Sequence, residues 1–259
     1  MKTALPPLLL LPGLACDGGV WRHEAQALGE ITEVRIADYG ASDSIAGMAR
    51  AALESAPERF AVAGHSMGGR VAMEIVRSAP QRVAGLALLN TAYKAWAPGE
   101  AGEREKAERM GYVEIAQTQG MRAMARQWLQ KMVYPSRLAD TPLIESIVDM
   151  LGRKTPDVFV GQIKALLARP DATAVLAGVK VPTLIMTGRE DAWSVLETHR
   201  EMAALTPNSK LVIVERCGHM APMERPEEIT AALKQWLEWT AGVPRGATRA
   251  AGPAVDAKV

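Results

Sequence analysis

The stretch from Phe60 to Pro80, "FAVAGHSMGGRVAMEIVRSAP", constrains the fold more than any other part of the chain. Phe60–Ala63 is short, apolar and closed by a glycine, as a buried strand is. From Met67 onward Val71, Ala72, Ile75 and Val76 recur at helical spacing, until Ser78-Ala79-Pro80 ends the pattern. Between them the chain must turn from strand to helix in about four residues. Ser66 stands at the apex, in a strained backbone conformation, and the positions two before and two after it are too crowded for a bulky side chain. Gly64 and Gly68 occupy those positions. The result is a hydroxyl at the C-terminal edge of a sheet, above a helix end whose unpaired N–H groups favour negative charge forming there.

Similar apolar runs occur at Leu8–Leu11, Val34–Ala37, Val83–Leu89, Thr183–Met186 and Lys210–Val214, with helical patterns between most of them. This alternation predicts an α/β fold with a parallel sheet covered on both faces, which 259 residues suffice to build. The rhythm breaks once, between Leu89 and Thr183, a span far longer than one crossover helix needs. It reads as helices over residues 100–118, 121–132, 141–153 and 156–169. The i,i+4 pairs Glu100/Arg104 and Glu105/Arg109 give the first of these a solvated face. Met110, Met121, Met124, Trp128 and Met132 read as packing between helices, with one or two at a pocket. After Trp239 the composition turns to Ala, Gly and Pro without a periodic apolar face, so residues 241–259 are expected to be a disordered tail.

Apolar residues make 48% of the chain and charged residues 23%, the balance of an ordinary globular protein. A net charge of +1 and the lack of a basic run interleaved with aromatics argue against nucleic acid or acidic membranes as partners. No 18-residue apolar run is present. The start, "MKTALPPLLLLPGLAC", mimics a lipoprotein signal, but Pro6, Pro7 and Pro12 break its core and one lysine is its whole basic region. A cytoplasmic location is the expectation. Cys16 and Cys217 lack metal-ligand spacing and read as free thiols. Neither metal nor organic cofactor is expected, and the oligomeric state is left open.

The residues "GHSMGG" resemble the nucleophile elbow of the α/β-hydrolases, with Ser66 as nucleophile. A serine hydroxyl needs a base. Of the four histidines, His65 adjoins Ser66 and should be directed away, while His23 and His199 fall in helical regions and read as surface residues. His219 follows the last apolar run on a loop held by Gly218 and Pro222, where this kind of sheet gathers its site. The resemblance implies that the acid follows the preceding strand, in "GREDAW", and matches Asp191, with Glu190 second. Ser66, Asp191 and His219 then stand in the family's order. It also implies an oxyanion hole of two backbone N–H groups, from Met67 and from Leu14. This chain has Pro12-Gly13 where the common pattern has His-Gly.

For the fold, the resemblance implies a six-stranded, mainly parallel sheet of order 2-1-3-4-5-6 with helices on both faces. The core would comprise residues 1–93 and 176–240, and a helical cap residues 94–175. A serine at the elbow argues against the dehalogenases and epoxide hydrolases of the family, which use aspartate there. What remains is hydrolysis of a small carboxylic ester or lactone through an acyl-enzyme on Ser66, in a small, capped, largely apolar pocket. Thioester and amide hydrolysis use the same residues. So does C–C cleavage of a dienol-diketone acid, which needs a cation near the serine. The segments "PGLACDGGVW", "GHSMGG", "EDAW" and "CGHMAPM" contain none, which leaves Arg189 and the cap arginines as the candidates. A small-ligand receptor that has lost turnover is the reading from another functional class. Cys16 and Cys217, on loops that flank the site, are expected to make turnover sensitive to thiol reagents.

Overall fold

Four consecutive leucines, Leu8–Leu11, are fully buried, because the strand they form lies inside a sheet with both faces covered. Each contributes about 1.5–3 kcal/mol relative to an exposed position. The computed structural model describes residues 4–242. Its sheet comprises β1 (Leu8–Leu11), β2 (Val34–Ile36), β3 (Phe60–His65), β4 (Val83–Leu89), β5 (Thr183–Gly188) and β6 (Ser209–Val214). All neighbours are parallel, in the order β2-β1-β3-β4-β5-β6. Burial follows that order. The inner strands β1, β3 and β5 are buried along their whole length, whereas edge strand β2 is partly exposed and edge strand β6 only half-buried. Continuous apolar runs are therefore what the inner strands require.

The helices described are α1 (Arg22–Gly29), α2 (Ile45–Ser55), α3 (Met67–Ser78), α4 (Glu100–Gln119), α5 (Met121–Trp128), α6 (Thr141–Gly152), α7 (Pro156–Leu167), α8 (Thr173–Gly178), α9 (Leu196–Leu205), α10 (Ala221–Glu224) and α11 (Pro226–Thr240). Local signals set several starts. Ser44, Asp140 and Thr155 accept from the N–H groups of Gly47, Leu143 and Val158, and Pro156 and Pro226 supply the pre-set φ of a first turn. The helix expected over 121–132 is α-helical to Trp128 and tightens to a 3-10 turn at Leu129–Lys131. The elements α8 and α10, and the turns Gly18–Trp21 and Pro135–Ala139, are too short for a periodic signal. The run that mimics a signal is β1. The expected tail lies outside the described residues from residue 243 onward.

The helices α4 to α8 all fall between β4 and β5. Met121, Met124, Met132 and Trp128 are buried among them, whereas Met110 is exposed. The Glu100–Arg104 pair lies in solvent, as its spacing suggests. The Glu105–Arg109 pair does not: α4 turns it inward, and both side chains line a cavity. Among the described residues no helix is long and apolar enough to cross a membrane.

Candidate active site

The chain runs from β1 out to β2 and returns to β3 on the other side of β1, so loops leaving β1 and β3 diverge and open a crevice at their C-terminal ends. Leu14 follows β1 and Ser66 follows β3. Steric necessity shapes the second turn. A Cβ on Gly64 would lie 2.2 Å from Gly68 O, and one on Gly68 would lie 2.1 Å from Leu11 O. Ser66 itself holds φ 55°, ψ −117°, which costs a non-glycine residue of order 1–3 kcal/mol. Its amide donates to Leu89 O at 2.9 Å, and Thr91 Oγ1 donates to Ser66 O at 2.7 Å, so β4 supports the strained turn.

The structure brings together the three residues singled out above. His219 Nε2 lies 2.8 Å from Ser66 Oγ, and His219 Nδ1 lies 2.9 Å from Asp191 Oδ2. Asp191 is 3% exposed. Its Oδ1 accepts from the N–H groups of Trp193 and Ser194 at 2.8 and 2.9 Å, and its Oδ2 from Asn90 Nδ2 at 2.9 Å. Burial alone would raise its pKa. The His219 imidazole, the Ser194 amide and Asn90 outweigh burial and hold it down at about 2. Glu190 is exposed and accepts from Cys217 N–H at 2.9 Å instead. Leu14 and Met67 both line the cavity at Ser66, and Met67 opens α3, where first-turn N–H groups have no intrahelical partner.

Several supporting residues carry no sequence signal of their own. Asn90 directly follows β4. His65 turns away from the cavity, as expected, but packs behind His219, with Nε2 2.8 Å from His219 O. Burial, and then the neighbouring His219, push its pKa down to about 3, so it is a neutral spacer. His199 is fully buried rather than on the surface, and its Nε2 accepts from Thr91 N–H at 3.1 Å. The His219 loop is held by the Glu224 carboxylate, which accepts from Gly218 and Met220 N–H, and by Met132 O, which accepts from His219 N–H at 2.7 Å. Gln162 of α7 accepts from Ala15 N–H at 2.7 Å and so fixes the loop that carries Leu14.

The cavity over Ser66 has a volume of about 360 Å³. It is not largely apolar. Arg70, Glu105, Glu108, Arg109, Lys131 and Arg169 share its wall with Trp128, Leu166 and Trp193. Cations are therefore present near the serine, Arg70 among them, the residue that directly follows "GHSMGG". Neither cysteine lines this cavity. Both are buried, and burial raises both thiol pKa values, that of Cys16 to about 12. The expected sensitivity of turnover to thiol reagents has no structural basis. Among the described residues no group of three or more His, Cys, Asp or Glu side chains is placed to hold a metal ion.

The profile of the "Alpha/beta hydrolase family" matches residues 8–232. A pimeloyl-[acyl-carrier protein] methyl ester esterase of Nitrosomonas europaea is 26% identical over 253 residues, covering 88% of this chain and 94% of that protein. A 2-hydroxy-6-oxononadienedioate/2-hydroxy-6-oxononatrienedioate hydrolase of Paraburkholderia phymatum is 30% identical over 190 residues, covering 70% of this chain and 62% of that protein. Among solved structures, a thermophilic esterase from Thermogutta terrifontis superposes with a TM-score of 0.80 at 27% identity, covering 91% of this chain and 90% of that one.

Proposed function

The chain belongs to the α/β hydrolase family, and from that premise we propose that it cleaves a small carboxylic ester or lactone through an acyl-enzyme on Ser66. The observation that carries this reading is the relay Ser66 Oγ, His219 Nε2, His219 Nδ1, Asp191 Oδ2, with links of 2.8 and 2.9 Å. Ser66 Oγ attacks the carbonyl carbon while His219 Nε2 takes its proton. Asp191 fixes the ring orientation and stabilises the imidazolium without itself being protonated. The carbonyl oxygen becomes an oxyanion facing the N–H groups of Leu14 and Met67, each such donor being worth about 3–4 kcal/mol. The intermediate collapses, the C–O bond to the alcohol breaks, and His219 returns its proton to the departing oxygen. Water then repeats the sequence on the acyl-serine, releasing the acid and restoring Ser66. The segment 94–175 acts as a cap on a core of residues 1–93 and 176–240, supplying Arg109, Trp128 and Arg169 to the cavity wall. Cytoplasmic location belongs to the same proposal, supported by two buried, unpaired thiols.

The test is turnover of para-nitrophenyl acetate and butyrate by the purified protein, followed by labelling with a fluorophosphonate and peptide mass spectrometry. Hydrolysis with the label on Ser66 is expected. A label elsewhere would move the nucleophile. Hydrolysis of no ester in a broad panel would return the chain to the receptor reading. A second reading, C–C cleavage of a dienol-diketone acid, is favoured by the cations in the cavity and by the Paraburkholderia relative. Cleavage of such an acid far faster than any ester would replace the first reading with the second.

A further inference from the structure

Ser66 is the residue immediately before α3, and Arg70 is the fourth residue of that helix, in its first turn. Both line the same cavity. The other cations of the wall are already paired. Arg109 and Arg169 both hold Glu105, at 2.9 and 2.7 Å, and Lys131 holds Glu108 at 2.7 Å. Arg70 differs. Its Nη1 donates to Lys94 O at 3.0 Å, and among the described residues no carboxylate pairs with it. Four cations thus face two carboxylates: one surplus charge is shared by Arg109 and Arg169 over Glu105, and the other is Arg70 itself.

Burial, and then the nearby Arg169 guanidinium, lower the pKa of Arg70; Glu105 opposes them, Arg109 adds to the lowering, and Asp171 opposes it least. A guanidinium is weakly hydrated and always charged, so its charge persists there at a cost. With Nη1 held by the carbonyl, Nε and Nη2 remain as a two-pronged edge that matches a carboxylate. An anion brought in by a ligand relieves that cost, and Ser66 lines the same cavity.

We propose that the substrate carries a carboxylate which pairs with Arg70, so that the scissile ester belongs to a short anionic acid or an anionic alcohol. This inference rests on the ester-hydrolase reading above for its chemistry, but on Arg70 alone for its charge.

Two substrate pairs test it. Para-nitrophenyl hemiglutarate against para-nitrophenyl valerate places the carboxylate on the acyl side. Para-carboxyphenyl acetate against para-tolyl acetate places it on the alcohol side. The wild-type protein should favour the charged member of at least one pair about tenfold or more in kcat/KM. In Arg70→Met that ratio should collapse toward one, mainly through KM, and Arg70→Lys should restore part of it. Arg122→Met removes the same charge from the exterior, where Arg122 pairs with Asp149, and should keep the ratio. Calorimetric titration with glutarate needs no turnover. Its affinity should fall about tenfold in Arg70→Met, with thermal unfolding confirming that the variant is folded.

Equal kcat/KM within both pairs, or glutarate binding indifferent to Arg70, would overturn the anion site while leaving ester hydrolysis standing. Arg70-dependent glutarate binding with no ester turned over would support the site and overturn the ester reading instead.

Discussion

Asn90 ties Asp191 to the loop that carries His219. Its Nδ2 donates to Asp191 Oδ2 at 2.9 Å and to Gly218 O at 3.1 Å, from a fully buried position at the end of β4. Its backbone holds φ 49°, which asparagine tolerates better than most residues. One amide thus fixes Asp191 and the His219 loop relative to each other, although it does not line the cavity at Ser66.

Asn90→Ala should therefore lower kcat about tenfold or more with little change in KM, because it loosens the relay without altering the cavity wall. It should also cost about 1–3 kcal/mol of stability through the two hydrogen bonds lost from Asp191 Oδ2 and Gly218 O. Steady-state kinetics and thermal unfolding on the same preparation check both. A lowered Tm with kcat intact would reduce Asn90 to a structural residue.

The proposed relay predicts a ranked series. Ser66→Ala and His219→Ala should each lower kcat on the order of 10⁵-fold, and the double variant little further, since the two act as a unit. Asp191→Asn should lose less than Ser66→Ala, yet far more than Glu190→Gln, whose carboxylate faces Cys217 N–H. Para-nitrophenyl ester kinetics measure all five. A greater loss in Glu190→Gln than in Asp191→Asn would displace the acid assignment.

The sheet was legible because inner parallel strands must be continuously apolar, as Leu8–Leu11 and Phe60–Ala63 are, and because the turn at Ser66 leaves no room for a Cβ at Gly64 or Gly68. The candidate relay was legible in part, since Asp191 and His219 each lie only a few residues past the end of an apolar strand, β5 and β6. The character of the cavity was not. Spacing shows that Glu105 and Arg109 can pair, but α4 is charged on several faces, so spacing alone does not say which pair faces solvent. Arg70 has the same ambiguity: a cation in the first turns of an amphipathic helix reads as surface until the segment packed over it is placed. Gln162 and Met132 act on loops far away in sequence, through contacts that no local pattern encodes.

Gly68→Ala isolates the steric argument. Its new Cβ would collide with Leu11 O and with Pro12 O, backbone atoms of the strand and loop leading to Leu14. Relief requires α3 to move away from β1, which should cost about 3–5 kcal/mol and abolish soluble expression or lower Tm by more than about 10 °C. Gly111→Ala, at a helical position with nothing within 4 Å, is the control and should raise stability slightly. Equal Tm values for the two variants would show that the turn relaxes without strain.

Glu24 gives a pH-dependent prediction away from the site. It is fully buried on α1, and neither carboxylate oxygen finds a donor among the described residues. Burial, with Glu227 adding to it, raises its pKa from 4.5 to about 8. The unfolded chain releases this proton near pH 4.5, whereas the folded protein keeps it to about pH 8. Glu24 therefore favours folding most fully below pH 4.5. That contribution declines as pH rises and is gone above about 8, a change of a few kcal/mol at about 1.4 kcal/mol per pKa unit. Glu24→Gln removes the titration while keeping the shape. Its Tm should match the wild type within a few degrees at pH 5 and exceed it at pH 8.5, with the gap widening steadily between. Differential scanning fluorimetry across that range measures the gap, and a gap independent of pH would mean that Glu24 ionises freely in the folded protein.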